Sequence, residues 1–143
     1  MEYIAHRINT VEELKNVPRD YGVEIDLRDF GDRLILQHEP FEDGEGFENF
    51  IKTFGHGTLI LNIKSEGIEY RTLEILKKYN IENYFFLDSS FPMIHALSKN
   101  KERNVALRFS EFEGLDTILN MKDRVKWVWV DCFSSLPITK NNY

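Results

Sequence analysis

Gly22-Val23-Glu24-Ile25-Asp26-Leu27 is the stretch on which the reading of this chain turns. Apolar and acidic residues alternate through it, which is the period-2 signature of a strand. Val23, Ile25 and Leu27 share one face, and Glu24 and Asp26 share the other. Two carboxylates one residue apart on a strand are costly to bury unless something compensates them. Mg²⁺ and Ca²⁺ take oxygen ligands and suit that task. The blander reading is the solvated face of an edge strand, because E-x-D alone is common.

Working outward, Ile4-Ala5-His6-Arg7 ends a short apolar run upstream, and Leu34-Ile35-Leu36-Gln37-His38-Glu39 ends another downstream. The order is strand-His-Arg, helix, strand-Glu-x-Asp, turn, strand-His. Further on, Thr58 to Lys64 reads as a strand ending in Asn62-Ile63-Lys64. This combination resembles the glycerophosphodiester phosphodiesterase family, within the phospholipase-C-like phosphodiesterase barrels. The resemblance covers the first third of the chain well and the rest by rhythm. It implies that His6 and His38 match the family's catalytic pair and Arg7 and Lys64 its phosphate contacts. Glu24 and Asp26 match its metal ligands. Asn62 stands where the family's E-I-K motif has a third carboxylate; an amide oxygen can still coordinate a hard cation, with one negative charge fewer. Ile8 replaces the glycine that usually follows HR, and the segment from His6 to Glu24 is shorter than usual.

The rest of the chain alternates regularly. Thr10-Val11-Glu12-Glu13 is a capping box that starts a short helix, and Pro18 stops it. Phe30-Gly31-Asp32-Arg33 turns the chain so that Leu34 to Gln37 returns as a hairpin partner. Phe47, Phe50, Ile51 and Phe54 mark one face of a helix, and Leu73, Leu76 and Tyr79 mark another, closed at Asn80. Tyr84 to Asp88, Asn104 to Phe109 and Val125 to Phe133 read as further strands. Ser90 and Pro92 open a helix between the first two, and Leu115, Ile118 and Leu119 suggest a short one before the last. Ser134 to Tyr143 looks like the opening of one more helix. Such alternation predicts a parallel sheet of TIM-type (β/α) barrel architecture, in a single domain spanning residues 1–143. A full eight-unit barrel usually takes about 250 residues. About six units are legible here, so the expectation is a shortened or open barrel, its C-terminal units missing or its edge covered by a second copy.

Composition narrows the function classes. A chain of 143 residues with 42% hydrophobic content can bury a core. Its net charge of −6 gives no electrostatic footprint for nucleic acid or an anionic membrane. The single cysteine, Cys132, makes no internal disulfide and suits a reducing cytoplasm. Met1-Glu2-Tyr3 leads straight into the first strand without a signal peptide, and no apolar run approaches the ~20 residues of a membrane span. A glycine-rich phosphate loop, zinc-ligand spacing and a nucleophile elbow are all missing from the sequence.

Several other polar residues fall near strand ends, where β/α sites are built. Asp88 is as readily a loop start before the helix cap as a site residue. Arg108 reads most simply as a salt-bridge partner. Trp127, Trp129 and Asp131 share a strand face, more often core than a ligand wall. His6 and His38 alone would read as structural histidines; around a carboxylate pair they suit acid and base roles. The expected function is metal-dependent hydrolysis of a glycerophosphodiester or similar small phosphodiester, with Mg²⁺ or Ca²⁺. The alternatives are a non-catalytic relative that binds a phosphorylated ligand and a phospholipase-D-like barrel lipase. Glu39, Glu42, Asp43 and Glu45 crowd the loop after His38, which favours zwitterionic or cationic headgroups over multiply anionic ones.

Overall fold

The computed structural model describes residues 1–138. The chain divides into two compact units, Met1–Ser89 and the part from Ser90 onward.

The first unit is built on a mixed sheet. Its strands are β1 (Ile4–Ala5), β2 (Gly22–Phe30), β3 (Arg33–Leu36), β4 (Glu45–Gly46), β5 (Leu59–Ile63) and β6 (Tyr84–Leu87). The order is β4-β3-β2-β5-β6, with β1 also paired to β2. β1, β5 and β6 run parallel to their neighbours, while β3 and β4 are antiparallel. Three helices connect them: α1 (Val11–Lys15), α2 (Phe47–Thr53) and α3 (Glu69–Lys78).

Local chemistry accounts for these elements. The capping box at α1 is complete: Thr10 Oγ1 accepts from the Glu13 N–H, and Glu13 reaches back to the Thr10 N–H. Gly31 takes a left-handed φ of 62° in the two-residue hairpin between β2 and β3, a conformation that costs glycine little. Gly44 allows β4 to approach β3, since a Cβ there would lie 2.2 Å from the Leu36 carbonyl oxygen. The apolar face of β2 carries Val23, Ile25 and Leu27, all fully buried in one core with Leu59, Leu61 and Phe86. Burying each such side chain contributes about 1.5–3 kcal/mol. Helix α2 adds Phe47, Phe50 and Ile51 to the buried set and packs on β3 and β4.

The second unit holds α4 (Phe91–Lys99), β7 (Ala106–Phe109), α5 (Asp116–Asn120) and β8 (Trp127–Val130). Ser90 caps α4, with Pro92 in its first turn. β7 and β8 form a separate parallel pair, and Ile94, Leu97, Val105, Leu107 and Met121 are buried. Arg108 binds Asp131 and sits 3.4 Å from Glu113, as the salt-bridge reading expected. Trp127 is exposed rather than core. The carboxylate of Glu111 accepts from the backbone N–H groups of Phe133, Ser134 and Ser135. Burial pushes its carboxyl up, but these donors outweigh it and hold the pKa down at about 2. Ser134 to Ile138 are irregular, and the remainder of the helix expected over Ser134–Tyr143 lies outside the described residues.

The expected TIM-type barrel is therefore corrected: among the described residues no barrel closes. Two features of the pairing explain this. β2 gives only two residues to β1 and four to the antiparallel β3, so one side of the sheet ends in a hairpin ribbon and not in a run of β/α units. The first sheet ends at β6, and β7 and β8 pair in a sheet of their own. Helices α1 and α5, at five residues each, are also short for the crossovers of a barrel.

Candidate functional site

The polar face of β2 is the centre of the site. In the parallel register Asp26 stands opposite Asn62 of β5, and Glu24 lies two residues earlier on the same face. Neither carboxylate is on a solvated edge: Glu24 is 2% exposed and Asp26 1%. Their compensation is specific. Glu24 accepts from the Arg7 backbone N–H at 2.7 Å and from the Asn62 amide at 2.8 Å. Asp26 Oδ2 accepts from Asn9 Nδ2 at 2.9 Å, and the Asp26 N–H donates to Asn9 Oδ1 at 2.8 Å. Lys64 Nζ lies 3.5 Å from Asp26 Oδ1, and His6 Nδ1 lies 3.9 Å from Glu24.

These positions follow from strand ends. The chain leaves β1 at His6-Arg7, and the Ile8 N–H still pairs with the Glu24 carbonyl at 3.0 Å. Arg7 has a left-handed φ of 54°, an uncommon conformation for a residue with a side chain. It aims the Arg7 N–H at the Glu24 carboxylate. At the end of β5 the Lys64 N–H pairs with the Leu27 carbonyl at 2.8 Å, which keeps Lys64 beside β2. At the end of β3 the Gln37 N–H pairs with the Asp26 carbonyl at 3.0 Å and brings in the backbone next to His38.

Thus Glu24, Asp26, Asn62, Lys64 and His6 gather as side chains. Arg7 contributes its backbone N–H, and its side chain is exposed. His38 is attached through the backbone beside Asp26, and its ring pairs with Glu39, Nδ1 to Oε1, at 2.6 Å. Of the acidic loop residues, Asp43 pairs with Arg33 and Glu45 accepts from the Val11 N–H, so the loop carries less free charge than its composition suggests. The Gly44 N–H, and after it the bond from Arg33, hold the Asp43 carboxyl below its ordinary range.

Two residues that serve the site were not singled out by the sequence reading. Asn9 matches the hydrogen-bonding edge of Asp26 donor for acceptor; its signal was an amide placed just before the Thr10 cap, a residue type that bonds neighbouring backbone. Arg28 shares the parity of Glu24 and Asp26, so it belongs to the same face, and parity alone would have found it.

Asn62 tests whether this face suits a divalent cation. Its amide N–H points to Glu24, while its Oδ1 is buried without a hydrogen-bond partner. An unsatisfied buried acceptor beside two buried carboxylates is the donor chemistry a hard cation satisfies. Among the described residues no cluster of three or more His, Cys, Asp or Glu side chains has metal-holding geometry, so the set here is two carboxylates and an amide. The residues fit the group by donor type.

The chain matches no family model, no curated protein and no solved structure. Among the described residues no helix is long and apolar enough to cross a membrane.

Proposed function

We propose that this site hydrolyses a small phosphodiester, of the glycerophosphodiester type, with the help of a divalent cation. The observation that carries the reading is the buried pair Glu24 and Asp26 beside the unpartnered Asn62 oxygen, with His6 and Lys64 at the rim. Glu24, Asp26 and Asn62 would hold the cation, Mg²⁺ or Ca²⁺ by their oxygen donors. When bound, the cation supplies Lewis-acid polarisation of a phosphoryl oxygen. Lys64 offers an ammonium to the phosphate, and Arg7, next in the chain to His6, has an exposed guanidinium. Of His6 and His38, one takes the proton from the attacking hydroxyl of the glycerol and the other returns it to the leaving alcohol. The cyclic phosphate formed is then opened by water, with the proton roles reversed.

A second reading is a binding-only relative that holds a phosphorylated ligand. It draws on Asn62, whose amide already donates to Glu24 where a third carboxylate would instead repel it. One experiment separates the two. Hydrolysis of a panel of glycerophosphodiesters is measured with Mg²⁺, Mn²⁺ or Ca²⁺, in parallel with chelator and with His6→Ala protein. Release of the alcohol, lost in both controls, is the expected result. No turnover by folded protein, with retained binding of the diester in a calorimeter, would replace hydrolysis by binding.

A further inference from the structure

We propose that Arg28 is a positioning residue for His38, fastening the histidine-bearing segment to the strand that carries Glu24 and Asp26; the proposal rests on the phosphodiesterase reading of this site. Arg28 is half-buried on the polar face of β2, two residues after Asp26. Its Nε donates to the Gln37 carbonyl at 2.9 Å, and its Nη2 donates to the His38 carbonyl at 2.8 Å. A guanidinium is a rigid planar fork, and two consecutive carbonyls are a match for it that an ammonium cannot reproduce. With the Gln37 N–H already on the Asp26 carbonyl, the backbone at 37–38 is held from both sides by β2.

Among the described residues, only surface bonds reach His38 and its neighbour Glu39 from the other direction. The chain from Gln37 to Gly44 has no regular structure, and its tip, Phe41, is 96% exposed with a left-handed φ of 65°. Further bonds of this loop are at the surface: Arg33 to Asp43, Gln37 Nε2 to the Asp43 carbonyl, His38 to Glu39, the Glu39 N–H to Gln37 Oε1 and the Gly44 N–H to Asp43. The offset between His38 and the carboxylates is therefore set by the Asp26–Arg28 spacing along a strand, and not by the loop.

The test compares Arg28→Lys and Arg28→Ala with Arg33→Lys, which alters the exposed bridge of the same loop. Two quantities are read: steady-state kinetics on sn-glycero-3-phosphocholine with Mg²⁺, and ¹³C relaxation of the His38 ring in histidine-labelled protein. For Arg28→Lys, kcat is expected to fall by up to about 100-fold while KM stays within about twofold, the mark of lost geometry without lost binding. The His38 ring becomes more mobile in both Arg28 variants, added guanidinium partly restores Arg28→Ala, and Arg33→Lys matches the native protein. Unchanged ring mobility in the Arg28 variants overturns the proposal whatever happens to the rate, as does an equal effect in Arg33→Lys. If the native protein hydrolyses nothing, the phosphodiesterase reading fails on its own, and the ring measurement still decides whether Arg28 holds His38.

Discussion

At the scale of single residues, the site is a matter of which donors face two buried carboxylates. Asn62 is the decisive residue: its amide binds Glu24 and its Oδ1 is left without a partner. Asn62→Asp should tighten binding of Mg²⁺ or Ca²⁺ by about tenfold, since ligand charge tunes such sites, and titration calorimetry reads it directly. An unchanged affinity would remove position 62 from the ligand set. Asn9→Ala should destabilise the protein by about 1–3 kcal/mol in urea unfolding, because a buried carboxylate loses its neutral donor. Strand parity put Glu24 with Asp26 and Asn62 with Lys64 on one face of their own strands; the resemblance, not the alternation, implied that these two pairs and His6 lie together. The sequence did not show Asn9 or the turn of the His38 ring to Glu39, because those depend on how the chain leaves a strand, whereas Arg28 was within reach of parity. The left-handed Arg7 is of the same kind: no local pattern announces it, and only the carboxylate it serves explains it.

At the scale of elements, the boundaries were legible where chemistry is local. The capping box at Thr10 and Glu13, the Gly31 hairpin, the Ser90 cap with Pro92 and the apolar β6 all stand where the sequence places them. Thr10→Ala should cost about 1 kcal/mol, measured by chemical denaturation, as loss of an N-cap does. Pairing was the harder question. The hairpin from β2 to β3 was foreseen, but its effect on the sheet was not: β3 pairs along the second half of β2 and leaves β1 only its first two residues. Rhythm reports that strands and helices alternate; it does not report which strand edges meet.

At the scale of the whole molecule, that same gap turned an expected barrel into a mixed sheet and a separate strand pair. Long-range pairing is decided by edges far apart in the chain, and periodicity carries no such information. A pH dependence belongs to this scale as well. Glu111 has its carboxyl lowered to about 2 from an ordinary 4.5, so it is ionised in both folded and unfolded chains above 4.5. As pH falls from 4.5 towards 2 the unfolded chain takes up the proton first, and the stability contributed by Glu111 declines until it is gone below the folded value. The protection of the Ser134 and Ser135 amides, taken relative to their intrinsic exchange rates at each pH, should therefore fall over that window in the native protein, and Glu111→Gln should flatten the response. Strand β2 has a further consequence, for how such a chain tolerates change over time. Arg7, Ile8, Asn9, Gln37 and Lys64 each bond to it, and its own Arg28 reaches out to residues 37 and 38. Descendants that lengthen or trim the connections at residues 16–20 or 39–43 keep every one of those anchor points. One residue inserted between Glu24 and Arg28 turns part of the set to the opposite face, so β2 is where insertions and deletions should be lethal to the site while its loops drift freely.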